Sequence, residues 1–104
     1  MVYVDDMRAQ VGTMVMCHMI ADSDEELHAM ADRIGVSRRW FQHPGRPTRH
    51  YDISLSKRAL AVAANAVQIT WRQAGCMTAR RRATGSLGSP DDAIQWRRNH
   101  EPVA

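Results

Sequence analysis

The chain has 104 residues, 44% of them hydrophobic, and a formal net charge of +3. That gives room for one domain with a small core and argues against wholesale disorder; the longest apolar run, Met14 to Ala21, is broken by His18 and is too short to span a bilayer, so no membrane role is expected. Charge is segregated: residues 1–32 are acidic, 33–70 carry one acid against seven bases, and 71–104 are again basic, which favours an anionic partner unless the halves simply face each other.

The chain opens on Met1-Val2-Tyr3-Val4-Asp5-Asp6 without a basic leader, so no signal peptide is expected. Val2-Tyr3-Val4 reads as a strand whose end presents the carboxylates of Asp5 and Asp6. Gln10 to Thr13, with Gly12, reads as a turn. Thr13 to Ile20 is a second strand; alternation puts Met14, Met16, His18 and Ile20 on one face and Val15, Cys17 and Met19 on the other. Both faces are apolar, so the strand is expected to be central and covered on both sides. Cys17 and Cys76 are far apart with no C-x-x-C spacing, which suits two free thiols in a cytoplasmic protein.

Ser23 opens a helix, and Glu26 three residues on completes a capping box, with the Glu side chain expected to reach back to Ser23. Leu27, Met30, Ala31 and Ile34 form one apolar stripe, and Gly35 closes the helix with Val36 packing back on it. Ser37 caps a short turn through Arg38-Arg39-Trp40. The loop from Trp40 to Asp52 follows, rich in His, Arg and aromatics, and its Pro44, Gly45 and Pro47 forbid a helix. A second helix begins near Ser54 or Ser56 and runs to Ala64. Val67 to Trp71 reads as a third strand, Gly75 as a turn, and Arg80 to Ser89 as a flexible polar linker. Ser89-Pro90-Asp91-Asp92 starts a short helix that ends near Arg98 and must dock on something to be stable. The fold expected is a single small α/β domain: three or more strands covered by two helices over residues 1–75, then a basic linker and short C-terminal helix over 76–104.

Val2-Tyr3-Val4-Asp5-Asp6, His18 with Ala21-Asp22, Glu26-Leu27-His28, Arg33-Ile34-Gly35-Val36, Trp40-Phe41-Gln42, His50-Tyr51-Asp52 and Lys57-Arg58-Ala59-Leu60-Ala61 together resemble a bacterial and bacteriophage family known as domain of unknown function 4031. The resemblance covers roughly residues 1–72 and implies a stand-alone microbial or phage domain. It supplies no activity.

The residues allow several chemistries. Asp5, Asp6, His18, His50 and Asp52 are ligand types that suit zinc or another divalent metal, and Asp5, His18, His50 and Asp52 could serve hydrolysis of a phosphoester, with or without a metal. The plain alternative is a hydrogen-bonded cluster that pins the loop. Ser54, Lys57 and Arg58 at a helix start, with Arg46 and Arg49 closing from the loop, could cradle a phosphate. Arg39, Trp40, Gln42 and Tyr51 beside those cations could hold nucleic acid, cations on phosphates and aromatics on unpaired bases. Arg80-Arg81-Arg82 would add a mobile basic arm to that reading, or the basic tail with Trp96 could instead bind a host or phage protein. Cys17, in a buried strand, makes a poor nucleophile.

Overall fold

The computed structural model describes residues 1–100; the last four residues of the expected basic tail lie outside them. Five strands make a mixed sheet: β1 (Val2–Val4), β2 (Ala9–Val11), β3 (Met14–Ala21), β4 (Tyr51–Ser54) and β5 (Val67–Gln68). Four helices cover it: α1 (Asp24–Ile34), α2 (Leu55–Ala63), α3 (Trp71–Thr84) and α4 (Pro90–His100). The expected small α/β domain with three or more strands is what the chain forms, the strands numbering five, and a fourth helix, α3, joins the two expected over the sheet and the short C-terminal one. No helix among the described residues is long and apolar enough to cross a membrane.

β3 is the central strand, as its two apolar faces require. One edge takes β1 and β2 in succession, the other takes β4, all antiparallel. β5 adds to β1 in parallel. The expected turn at Gln10–Thr13 is shorter than foreseen: Ala9–Val11 pairs with Met14–Met16, and only Gly12 and Thr13 turn, Gly12 taking a φ of +60°. A two-residue hairpin needs a left-handed φ at its first position, which glycine adopts without strain.

Alternation sorts the strands into two cores. Val2, Val4, Met19, Ala21, Tyr51 and Ile53 pack under α1 and α2 with Leu27, Ala31, Ile34 and Ala61. Tyr3 and Ile20 pack under α3 and α4 with Ile69, Met77, Leu87 and Ala93. Local signals place the helix ends. The Ser23 hydroxyl accepts from the Glu26 N–H, Gly35 ends α1 at φ +80°, and the Val36 N–H donates to the Ala31 carbonyl at 2.8 Å. Ser37 caps a 3-10 turn over Arg38–Trp40, and Ser54 caps α2. Ser89 and Pro90 start α4, which runs to His100 and docks on α3. The Glu26 carboxylate does not return to Ser23; it pairs with the N-terminal ammonium instead.

The second half of the chain departs from expectation. Trp71 begins a helix rather than ending a strand, because Thr70 and Gln73 form a reciprocal capping box there. Gly75 makes no turn. It lies on the exposed face of α3, where a glycine costs about 1 kcal/mol relative to alanine. Burial of Ala74, Cys76 and Met77 on either side offsets that cost. The linker expected from Arg80 starts only at Gly85, the left-handed cap of α3. Arg80 wraps the loop by donating to the Ser86 carbonyl and hydroxyl, at 2.8 and 2.6 Å. Arg81 is buried, and its guanidinium donates to the Ala21 carbonyl at the end of β3 and to the Pro47 carbonyl of the long loop. Burial, with Arg49 close by, lowers its pKa to about 10. Cys17 and Cys76 are both free and buried.

Met77 is fully buried in the second core, so Met77→Ala is expected to cost about 2–5 kcal/mol, as much as Leu27→Ala in the first core. Urea unfolding measures both; a Met77 variant as stable as the parent would mean that α3 is not part of the cooperative unit.

Candidate functional site

The register of the sheet builds the site. Asp52 of β4 lies beside His18 of β3, and the Asp5 N–H donates to the His18 carbonyl at 3.0 Å, so the three residues form a row across the sheet. Alternation turns their side chains toward the α3 face, away from Met19, Tyr51 and Ile53. His50 lies two residues before Asp52 and is held by the bridge Gln42–His50, which closes the long loop at its base.

Asp5 is fully buried and is used on every side. Its Oδ1 accepts from the His18 N–H at 2.8 Å and the Met7 N–H at 3.2 Å, and its Oδ2 accepts from His18 Nδ1 at 2.8 Å. Its own carbonyl accepts from Arg58 Nε at 2.7 Å. Burial pushes the Asp5 carboxyl up, but the bonds from His18 and Met7 outweigh it and hold it below the usual range. The same Asp5 bond outweighs burial at His18 and raises its pKa.

These bonds fix tautomers. His18 gives its Nδ1–H to Asp5, and His50 gives its Nδ1–H to the Thr48 carbonyl at 2.7 Å. Both Nε2 atoms then point at Asp52 Oδ1, from 3.8 Å for His18 and 3.2 Å for His50. Asp52 Oδ2 is tied to Gln42 Nε2 at 2.7 Å. One ligand atom each from His18, His50 and Asp52 lies within 4.8 Å of the other two. A third imidazole, His43, meets the His50 ring edge-on with centroids 5.3 Å apart, and its Nδ1 bonds Thr48 Oγ1 at 2.8 Å.

Asp5 and His18 of the row line a cleft of ≈ 790 Å³ between the sheet and α3, with Asp52 just outside its lining. Asp5, His18, His43, Thr48 and His50 line one wall; Trp71, Arg72, Thr78, Arg82 and Arg97 line the other. Sequence reasoning missed that second wall. Its signal was the Thr70–Gln73 capping box, which marks a helix start before Trp71.

The other expected ligand residues go elsewhere. Arg49 donates to Asp24 at 2.6 Å and to the Arg46 carbonyl, so Arg49 does not close over the start of α2. Ser54 caps that helix by accepting from the Lys57 N–H. Arg58 holds the Asp5 carbonyl and Gln68. Tyr51 is buried on the opposite face, its hydroxyl 2.6 Å from His28 Nδ1, and Phe41 packs there too. Trp40 is exposed with Arg39 over its ring. Trp96, suggested for a protein partner, stacks on His100.

The family described as "protein of unknown function (DUF4031)" matches residues 2–82. No curated protein and no solved structure matches the chain.

The geometry sets an expectation for His18. In protein stripped of metal ions its imidazole should titrate above the ordinary value of 6.5, and Asp5→Asn should bring the midpoint down, read from the ring proton shifts by NMR. A raised imidazole pKa stabilises the fold below 6.5, and this contribution is lost as pH rises through the folded value. A lowered carboxyl pKa stabilises above 3.8, and this contribution is lost as pH falls through the folded value. The pair therefore contributes most between those two ordinary values. An unchanged His18 midpoint in the Asn variant would show that Asp5 does not control the imidazole.

Proposed function

Because the chain belongs to the DUF4031 family, whose description assigns no activity, we propose its function from the site: a divalent-metal centre that hydrolyses a phosphate ester. The observation that supports this is the meeting of His18, His50 and Asp52, one ligand atom of each within 4.8 Å of the other two, with Asp52 Oδ1 3.8 Å from His18 Nε2 and 3.2 Å from His50 Nε2. In their neutral forms, with Nδ1 protonated, each Nε2 turns a lone pair toward the Asp52 carboxylate, and a cation among these acceptors would be ligated by all three.

Two imidazoles and a carboxylate suit zinc, manganese or ferrous iron. Each would-be ligand also has an outer partner: the Asp5 carboxylate for His18, the Thr48 carbonyl for His50 and the Gln42 amide for Asp52. Such partners orient ligands and raise their basicity. Asp5 itself is not a ligand in this reading, since both of its oxygens are taken. A cation held there supplies Lewis-acid activation of water and of a phosphoryl oxygen. In the hydrolysis a water oxygen bonds to phosphorus, the P–O ester bond breaks, and the departing alkoxide takes up the proton that the water releases. The arginines of the facing wall favour an anionic substrate.

Calorimetric titration of chelator-treated protein with Zn²⁺ or Mn²⁺ tests the centre. One ion per chain is expected, with binding lost in His50→Ala and weakened roughly 10–100-fold in Asp5→Asn. Failure of either ion to bind stoichiometrically would overturn the reading.

A further inference from the structure

We propose that the cleft takes single-stranded nucleic acid, with a base stacked on Trp71 and the phosphates held by Arg72, Arg82 and Arg97. The proposal rests on the hydrolytic reading for the fate of the strand, but the binding itself needs no metal. Four observations carry it.

First, the three arginines line the same cleft as His18 and His50, and all three are exposed. The arginine ion pairs among the described residues lie elsewhere, at Arg38–Asp32 and Arg49–Asp24, so the charges on this wall are available to a ligand. Second, the carboxylate lining the cleft is Asp5, which is committed to His18 and Met7. The accessible charge of the walls is therefore positive.

Third, the Trp71 side chain is 60% exposed at the first position of α3. Its backbone N–H donates to Asp6 Oδ1 at 2.6 Å, which pins the start of α3 to the chain just after β1. A large exposed aromatic ring at the mouth of a basic cleft offers a stacking platform, and stacking requires an unpaired base. Fourth, Arg72 and Arg82 lie ten residues apart on one helix, about 15 Å at 1.5 Å per residue. One phosphate cannot bridge that distance, so the wall suits a strand rather than a mononucleotide.

The test is fluorescence anisotropy of a labelled oligothymidylate with the full chain, in chelator so that the strand stays intact. Binding is expected to weaken with salt, with a log–log slope of about −2, at roughly 0.7 per phosphate held on a single strand. Replacing Arg72, Arg82 and Arg97 together by Gln should bring the slope close to zero. Trp71→Ala should weaken binding about tenfold and leave the slope unchanged. All four side chains are exposed, so the variants keep the fold, which circular dichroism checks. Binding without salt dependence, variants that bind like the parent, or equal binding of a duplex or of thymidine monophosphate would each overturn the proposal. Metal titration separates the two readings: strand binding without a metal site removes the hydrolase and keeps the strand, and the reverse result does the opposite.

Discussion

The site depends on a side chain standing in for a backbone group. At the end of β1 the Asp5 N–H makes the ladder bond to the His18 carbonyl, but the His18 N–H is answered by the Asp5 carboxylate and not by its carbonyl. The carbonyl so released is taken by Arg58 from α2. Asp6, Met7 and Arg8 then swing out before β2 resumes pairing at Ala9, Arg8 in the left-handed region at φ 53°. A buried carboxylate is costly unless it is fully bonded. Here three donors satisfy it, and one of them is the imidazole that it orients.

The same arrangement explains why the site faces α3. Residues that alternate along β1, β3 and β4 send Val4, Met19 and Ile53 into one core, leaving Asp5, His18 and Asp52 on the other face. Over that face Tyr3, Ile20 and Met77 form a second core at one end only. At the other end α3 stands off the sheet, and the gap is the cleft. An apolar core and a cleft edged by ionisable side chains share one layer because, past Ile20 and Tyr3, the row Asp5–His18–Asp52 brings ionisable side chains to that face.

The long loop is held, not free. Its base is closed by the two main-chain bonds between Gln42 and His50, its arginine Arg49 is tied to Asp24 at the start of α1, and its Pro47 carbonyl meets the buried Arg81 of α3. Arg49, one of the two cations that made it look like a ligand-binding loop, is a fastener. What it delivers to the site is imidazole and amide: His50, His43 and Gln42. Such rigidity suits a centre whose ligands must keep their geometry before anything binds.

The sequence alone determined whatever depends on neighbours in the chain. The caps at Ser23, Ser37, Ser54 and Ser89, the stripe of α1, and the two-faced β3 were all legible, because capping and alternation act over a few residues. So were His18, His50 and Asp52 as a set of ligand types, though not their convergence. Tertiary structure decided what distance in the chain conceals. Gly75 sits in a helix because burial around it outweighs its poor propensity. Arg81 and Arg82, adjacent in a basic run, part company: one becomes a buried strut and the other a cleft wall, since a helix turns successive side chains by about 100°. The row Asp5–His18–Asp52 exists only through strand register, and register is fixed by which face of the whole sheet must be apolar.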